Sequence, residues 1–311
     1  MSAVSHDKKE SESVNSLKYF WTFEKDLPKG IGFYLFGPAH AAWLTAAAGV
    51  FLVGGALYMR ADARVRSRTQ LVLSCLIIFN EIFQDCYLKI TGNLTVYQLP
   101  LHLCGLAVFI TFAHSIILDI RARSEIGKSA SAYSNACTGN RTEIVCENAS
   151  DAGADSAERD GRKGRILRGA DHFLGQVRFS LCLPGALLAI LFPDWTCYPP
   201  LSFMCIFGFV NHILISGSAL WLVLQRDFGI RPAYIADPAV FLFITVPIIY
   251  RFDRAENTNY FFLINGPEGS PLYWLQHTWP DNYLTAYAVL AAAVITLWYI
   301  VWSAAKKIRR M

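Results

Sequence analysis

From about residue 33 onward the chain alternates long apolar runs with shorter polar breaks. Seven runs, roughly 33 to 58, 70 to 90, 98 to 119, 171 to 193, 199 to 224, 236 to 255 and 282 to 303, are long enough to cross a hydrocarbon core as helices, which takes about 20 residues. The pattern predicts an all-α fold: a polytopic membrane protein built as a seven-transmembrane-helix bundle. A polar tail over residues 1–30 precedes the membrane domain, residues 31–311. The run that follows this tail is much longer than a signal-peptide core, so no cleavable leader is expected and the first span serves as its own insertion signal.

One break is unlike the others. Residues 121–168 are rich in Ser, Ala and Gly with charges of both signs and no apolar periodicity, which predicts a disordered insertion. Basic residues flank it (Arg121, Arg123; Arg162, Lys163, Arg165, Arg168), and others follow span one (Arg60, Arg64, Arg66, Arg68), lie between spans five and six (Arg226, Arg231) and close the chain in "KKIRR". The break "PDWTCYPP" between spans four and five has none. Under the positive-inside rule the N-terminus is outside or lumenal and the C-terminus cytoplasmic. The sequons at Asn140 and Asn148 then fall on the cytoplasmic side and read as chance matches. No internal repeat is visible, and an odd helix count gives no support to a simple inverted-repeat transporter.

Composition agrees: 54% of residues are hydrophobic and 17% charged, against about a quarter charged in soluble domains. The net charge of +4 lies in loops that abut lipid. It carries topology and does not mark a nucleic-acid partner; membrane lipids are the expected partners, and no segment points to a protein partner. The eight cysteines lack CxxC spacing, and Cys75, Cys104, Cys182 and Cys205 fall inside spans. Neither a zinc knuckle nor a disulfide framework is expected, and only Cys86 and Cys197 are placed to meet near a membrane face.

Ionisable groups at membrane depth are costly and mark functional cavities. At about 1.5 Å per residue, His40 lies roughly 10 Å below the outer surface, Asp85 and Glu81 roughly 8 and 13 Å, His102 and Cys104 roughly 6 and 9 Å, and His212 roughly 19 Å. Asn80, Glu81, Gln84 and Asp85 share one face of span two, which cannot meet lipid. A bland alternative is a helix-locking polar network; convergence in one layer favours a cavity. Cys104 needs a base to become a nucleophile. His102, two residues away, points to nearly the opposite side of a regular helix, although Pro100 suits a first helical turn and would set His102 within it. Otherwise His212 or His40 is best placed. His114 has no obvious companion, and Asp194 is expected to order its loop.

The segments "LFGPAH", "LPLHLC", "LLAILFPDW", "FGFVNHILISGSALWLVL", "GIRP" and "NYFFLINGPEGSPLYWL", in this order, resemble the YwaF-like family of integral membrane proteins over nearly the whole chain apart from the tail and the insertion. That resemblance implies seven helices and a relation to a eukaryotic branch of acyltransferases that remodel ether phospholipids through a cysteine acyl-enzyme. It implies His102, Cys104 and His212 as the matching polar positions, and residence in the endomembrane system (ER or Golgi) or the plasma membrane. His40, Asn211, Asn259 and Tyr260 are the candidate substrate contacts. In the acyltransferase branch the cysteine directly follows a proline and precedes a histidine, whereas the order here is Pro100, Leu101, His102, Leu103, Cys104.

Three functions fit. In the first, a phospholipid acyltransferase or lipase-like enzyme, Cys104 attacks an ester, His212 or His102 takes its proton, and Glu81 or Asp85 orients that histidine. No cofactor or metal is called for. In the second, His40, Glu81, Asp85, His102 and His212 hold zinc in a membrane hydrolase, although span seven adds no histidine. The third is a transporter or receptor with a polar cavity.

Overall fold

The computed structural model describes residues 17–138, 150–225, 231–267 and 270–308, with the backbone alone for 126–138, 150–161, 163, 232 and 308. Among these residues the fold is all-helical. Seven spans follow in order: α1 Pro38–Arg60, α2 Ala63–Ile90, α3 Leu103–Glu125, α4 Gly164–Leu191, α5 Phe203–Leu224, α6 Ala233–Glu256 and α7 Pro280–Lys307. The spans alternate in direction, so the segments 91–102, 192–202 and 257–279 gather at one end, the loop end. The opposite end carries Arg60, Arg121 and Lys306, and is called the basic end here.

Local chemistry sets the helix boundaries. Pro38 opens α1 behind Gly37, where its missing N–H leaves no helical bond unmade. Asp62 caps α2 by accepting from the Val65 N–H at 2.8 Å, and Ser202 caps α5 by accepting from Cys205 at 3.3 Å. Asn257, left-handed at φ 55°, ends α6. Helix α2 starts earlier than hydropathy suggests because its basic first turns are helical too. Where composition predicts disorder, residues 121–138 and 150–168 continue the helices of α3 and α4; once a span has supplied the nucleus, each added residue extends a helix at little expense. Residues 139–149, with both sequon asparagines, lie outside the described residues.

Helices α4 and α5 are central, 61% and 67% buried, whereas α1, α6 and α7 are at most 17% buried and face outward. Both α1 and α4 contain a π turn, Val50–Gly54 and Arg178–Cys182, and each is braced from a neighbouring span by a tryptophan. The Trp221 indole N–H donates to the Phe51 carbonyl at 3.2 Å, and that of Trp298 to the Phe179 carbonyl at 3.0 Å. Gly54 makes room for the first brace, since a Cβ there would lie 2.3 Å from the Trp221 ring.

Midway along α4, Arg178 is wholly buried. It donates to Gln70 Oε1 of α2 and Ser218 Oγ of α5, both at 3.0 Å, and to His114 Nδ1 of α3 at 3.2 Å. A guanidinium only donates, so His114 Nδ1 carries no proton. Its Nε2–H then faces Asp171 Oδ1 at 2.9 Å, and the other oxygen of Asp171 pairs with Arg121. His114, without a companion in the sequence reading, therefore links a buried cation to its carboxylate.

Arg178→Leu is expected to lower stability by about 3 kcal/mol or more, because Gln70, His114 and Ser218 lose their common donor in a dry interior. Gly54→Ala should lose about 1–3 kcal/mol by overpacking. Both are read as a fall in melting temperature in detergent micelles, against an exposed control such as Thr296→Ala.

Candidate functional site

The segment leading into α3 folds before it becomes helical. Thr95 and Gln98 form a capping box around the turn Val96–Gln98, Leu101 N–H donates to the Leu99 carbonyl at 2.7 Å, and the helix starts at Leu103. Pro100 thus stands in the turn ahead of α3 and not in its first turn. His102 immediately precedes the helix, its carbonyl taking the first helical bond from Leu106 at 2.9 Å. The helical objection to a His102–Cys104 pair no longer applies in its simple form, because His102 is not helical. Gly105 permits this fold-back, since a Cβ there would meet the Pro100 backbone at 2.7 Å.

The His102 ring meets Tyr260 edge-on at 4.7 Å between centroids and Phe262 at 5.5 Å. Burial holds its pKa below the usual histidine value, opposed in part by the carboxylates of Asp194 and Asp253. The aromatic segment is backbone-strained, with Phe261 and Phe262 left-handed at φ 54° and 57°. Such a conformation costs about 1 kcal/mol or more at each residue and needs outside support. The Tyr283 hydroxyl donates to the Phe262 carbonyl at 2.6 Å and the Tyr287 hydroxyl to that of Phe261 at 3.0 Å, both from α7. Asp253 Oδ1 accepts from Thr258 Oγ1 at 2.6 Å and the Tyr260 N–H at 2.9 Å.

On α5, His212 Nδ1 lies 2.6 Å from the Gly208 carbonyl. A carbonyl only accepts, so Nδ1 carries the proton and Nε2 keeps its lone pair. Trp195 stacks on the imidazole at 5.0 Å and 27°. Gly208 allows it, a Cβ there lying 2.7 Å from the indole. One residue earlier, Asn211 Nδ2 donates to Glu81 Oε2 of α2 at 3.2 Å. Asn211 Oδ1 and Asn80 Nδ2 are buried without a hydrogen-bond partner.

Cys104 is the second residue of α3 and half-buried. It is not hydrogen-bonded to either imidazole. What unites the group is Asp194, in the loop after α4: its carboxylate acts electrostatically on His102, Cys104 and His212. Glu81 acts on Cys104, and Asp85 on Glu81. The loop end therefore brings Cys104, His102, His212, Glu81 and Asp85 into one electrostatic neighbourhood. Asp194, assigned only a loop-ordering part from sequence, is the carboxylate common to His102, Cys104 and His212. The signal was the "FPDW" string, which puts a carboxylate and an indole directly beyond a membrane helix.

Three other candidates have their polar atoms engaged by backbone. His40 accepts from the Phe36 N–H at Nδ1 and donates from Nε2 to the Ile190 carbonyl, both at 2.9 Å, tying α1 to α4. Asn259 Oδ1 accepts from Ile264 and Asn265 N–H at 3.0 and 3.1 Å while its amide donates to the Asn265 carbonyl at 2.8 Å. The Tyr260 hydroxyl donates to the Val96 carbonyl. Among the described residues no group of three His, Cys, Asp or Glu side chains is placed to hold a metal ion, so no step is routed through zinc. The six cysteines whose side chains are described, Cys86 and Cys197 included, are free thiols. Burial pushes the Cys197 thiol up to about 11, so it is protonated at neutral pH.

Comparison with known families matches residues 35–302 to the TMEM164 family. The chain belongs to the TMEM164 family. The matched stretch takes in the start of every span and every residue of the neighbourhood just described, so the site lies within the part of the chain shared with other TMEM164-family members. No curated protein and no solved structure matches the chain.

The lowered pKa of His102 gives a pH test. The folded state binds fewer protons than the unfolded one between the lowered value and the ordinary value of about 6.5, so stability falls as pH drops through that window. Wild type should lose more melting temperature than His102→Asn between about pH 7.5 and pH 5; equal losses would contradict the assignment.

Proposed function

We propose that this TMEM164-family chain is a membrane-embedded phospholipid acyltransferase, with lipase-like hydrolysis as its side reaction, working through an acyl-enzyme on Cys104. The observation that carries the reading is the His212 tautomer. A neutral imidazole whose Nδ1–H is fixed to the Gly208 carbonyl at 2.6 Å keeps a free lone pair on Nε2, and the Asp194 carboxylate reaches both this ring and the Cys104 thiol, which has no other hydrogen-bonded role. The motif likeness to the YwaF-like family and its ether-phospholipid acyltransferase relatives supports the same chemistry, although the cysteine here stands two residues after the histidine.

In this reading His212 Nε2 removes the Cys104 proton, and the thiolate attacks the ester carbonyl of a phospholipid. The tetrahedral intermediate collapses to a thioester, and the leaving lysophospholipid oxygen takes the proton back from His212. The hydroxyl of an acceptor lysophospholipid then attacks the thioester, its proton passing to the imidazole and on to the departing sulfur. Water in place of the acceptor gives hydrolysis. Asp194 stabilises the transient imidazolium, the part a third carboxylate plays in other nucleophile–histidine pairs. Trp195 holds the ring in plane. Glu81, held by Asn211, and Asp85 keep the chamber polar beneath the thiol, and the Tyr260 ring fixes His102 at its mouth. The charge bias of the loops supports an opening toward the non-cytoplasmic leaflet of an endomembrane or the plasma membrane.

The test is acyl transfer by purified protein in liposomes, from a phospholipid with an isotopically labelled acyl chain to a lysophospholipid acceptor. Cys104→Ala should abolish transfer and the hydroxylamine-labile label on the protein, and His212→Asn should slow transfer by roughly 10²–10⁴-fold, the usual contribution of a general base. Undiminished transfer by Cys104→Ala overturns the proposal.

A further inference from the structure

A cleft opens at the loop end between the last turns of α6 and the beginning of α7. Tyr250 and Arg254, one turn apart on α6, form one wall; Asp281, Asn282 and Thr285 form the other; Ile264 lies between them. Arg254 and Asp281 are both exposed. Neither is joined to the other or to any other described residue by an ion pair. Two opposite charges therefore face one cleft without neutralising each other, which leaves matching positions for a ligand that carries both signs. Asn282 and Thr285 add neutral hydrogen-bonding groups beside them.

The level of the cleft says where such a ligand comes from. It lies where two spanning helices meet the polar loops, and Trp274 and Trp279, 61% and 46% exposed, stand in the segment leading to it. Exposed tryptophans collect at the headgroup level of a bilayer. The exposed side chain of Leu284 lines the same cleft one residue below Tyr283 and offers a path for acyl chains. Arginine suits a phosphate here because its fork of N–H groups matches two phosphate oxygens at once.

The cleft is also tied to the site around Cys104. Leu263 and Ile264 in its lining continue directly from Tyr260 and Phe262, whose rings contact His102, and Tyr283 both lines the cleft and holds the Phe262 carbonyl at 2.6 Å. A molecule seated between α6 and α7 would touch Leu263 and Ile264, which follow directly on the strained segment that packs on His102.

We propose that this cleft binds the zwitterionic headgroup of a phospholipid, Arg254 taking its phosphate and Asp281 its ammonium group. The proposal rests on the acyl-transfer reading for the fate of the bound lipid, and on the cleft alone for the binding. The experiment uses the full chain in detergent micelles and measures binding of fluorescent phosphatidylcholine, with phosphatidylglycerol, diacylglycerol, glycerophosphocholine and inorganic phosphate as competitors. Wild type should bind phosphatidylcholine and be displaced by phosphatidylglycerol less well, and by diacylglycerol hardly at all. Arg254→Gln should weaken phosphatidylcholine binding tenfold or more. Asp281→Asn should weaken phosphatidylcholine binding while leaving that of phosphatidylglycerol unchanged or stronger. Melting temperatures of both variants should match wild type, since both residues are exposed.

Wild-type binding by the two variants, or equal displacement by diacylglycerol, overturns the site. Displacement by glycerophosphocholine or inorganic phosphate at concentrations as low as the lipid's would show a soluble phosphate compound as the ligand and overturn the lipid assignment. Cys104→Ala separates the two proposals: it keeps lipid binding, so intact binding without any acyl transfer by wild type defeats the catalytic reading alone.

Discussion

A bilayer interior supplies no water, so a polar atom buried between these helices can be stabilised only by a partner on another part of the same chain. Arg178 is the extreme case. Its guanidinium reaches Gln70, His114 and Ser218, on three other spans, at 3.0 to 3.2 Å. One side chain thereby sets the register of α2, α3, α4 and α5 against one another. The Gln70 amide completes the arrangement by donating to the Ser218 carbonyl at 2.9 Å and the Tyr58 hydroxyl at 3.3 Å. Isolated pairs of this kind contribute modestly in membranes; here several share one cation, which makes the inner four helices act together.

The same constraint sorts the polar residues of the loop end. Where a backbone group is within reach it takes the side chain, as with His40, Asn259 and Tyr260. Among the residues left with an atom outside any hydrogen bond are Cys104 at its sulfur, His212 at Nε2 and the exposed Asp194 at its carboxylate. Loop geometry decides which are left over. The Phe33 N–H bonds the Thr196 carbonyl at 3.0 Å and, with His40 on Ile190, pins the segment before α1 beneath the loop that carries Asp194 and Trp195. Gly32 makes this approach possible, because a Cβ there would meet the Thr196 carbonyl oxygen at 2.0 Å.

Strain is concentrated in the same region. Two successive aromatic residues held left-handed are maintained by hydroxyls of α7 and by Asp253 on α6, so the wall against His102 depends on the two most peripheral helices keeping their positions.

Sequence alone determined the seven spans, because hydropathy and residue rise fix which stretches are long and apolar enough to cross a bilayer. It could not determine which polar atoms stay free. Whether His40 or His212 keeps a lone pair depends on a carbonyl 150 residues away in one case and one helical turn away in the other. Arg178, a cation inside an apolar run, was passed over in the sequence, because its link through His114 to Asp171 joins helices that hydropathy treats as independent. Asp194 looked like a loop residue because the side chains its carboxylate acts on lie on α5 and around the start of α3. Depth is a property of the chain taken one helix at a time; pairing is a property of the packed bundle, and only the tertiary structure decided it.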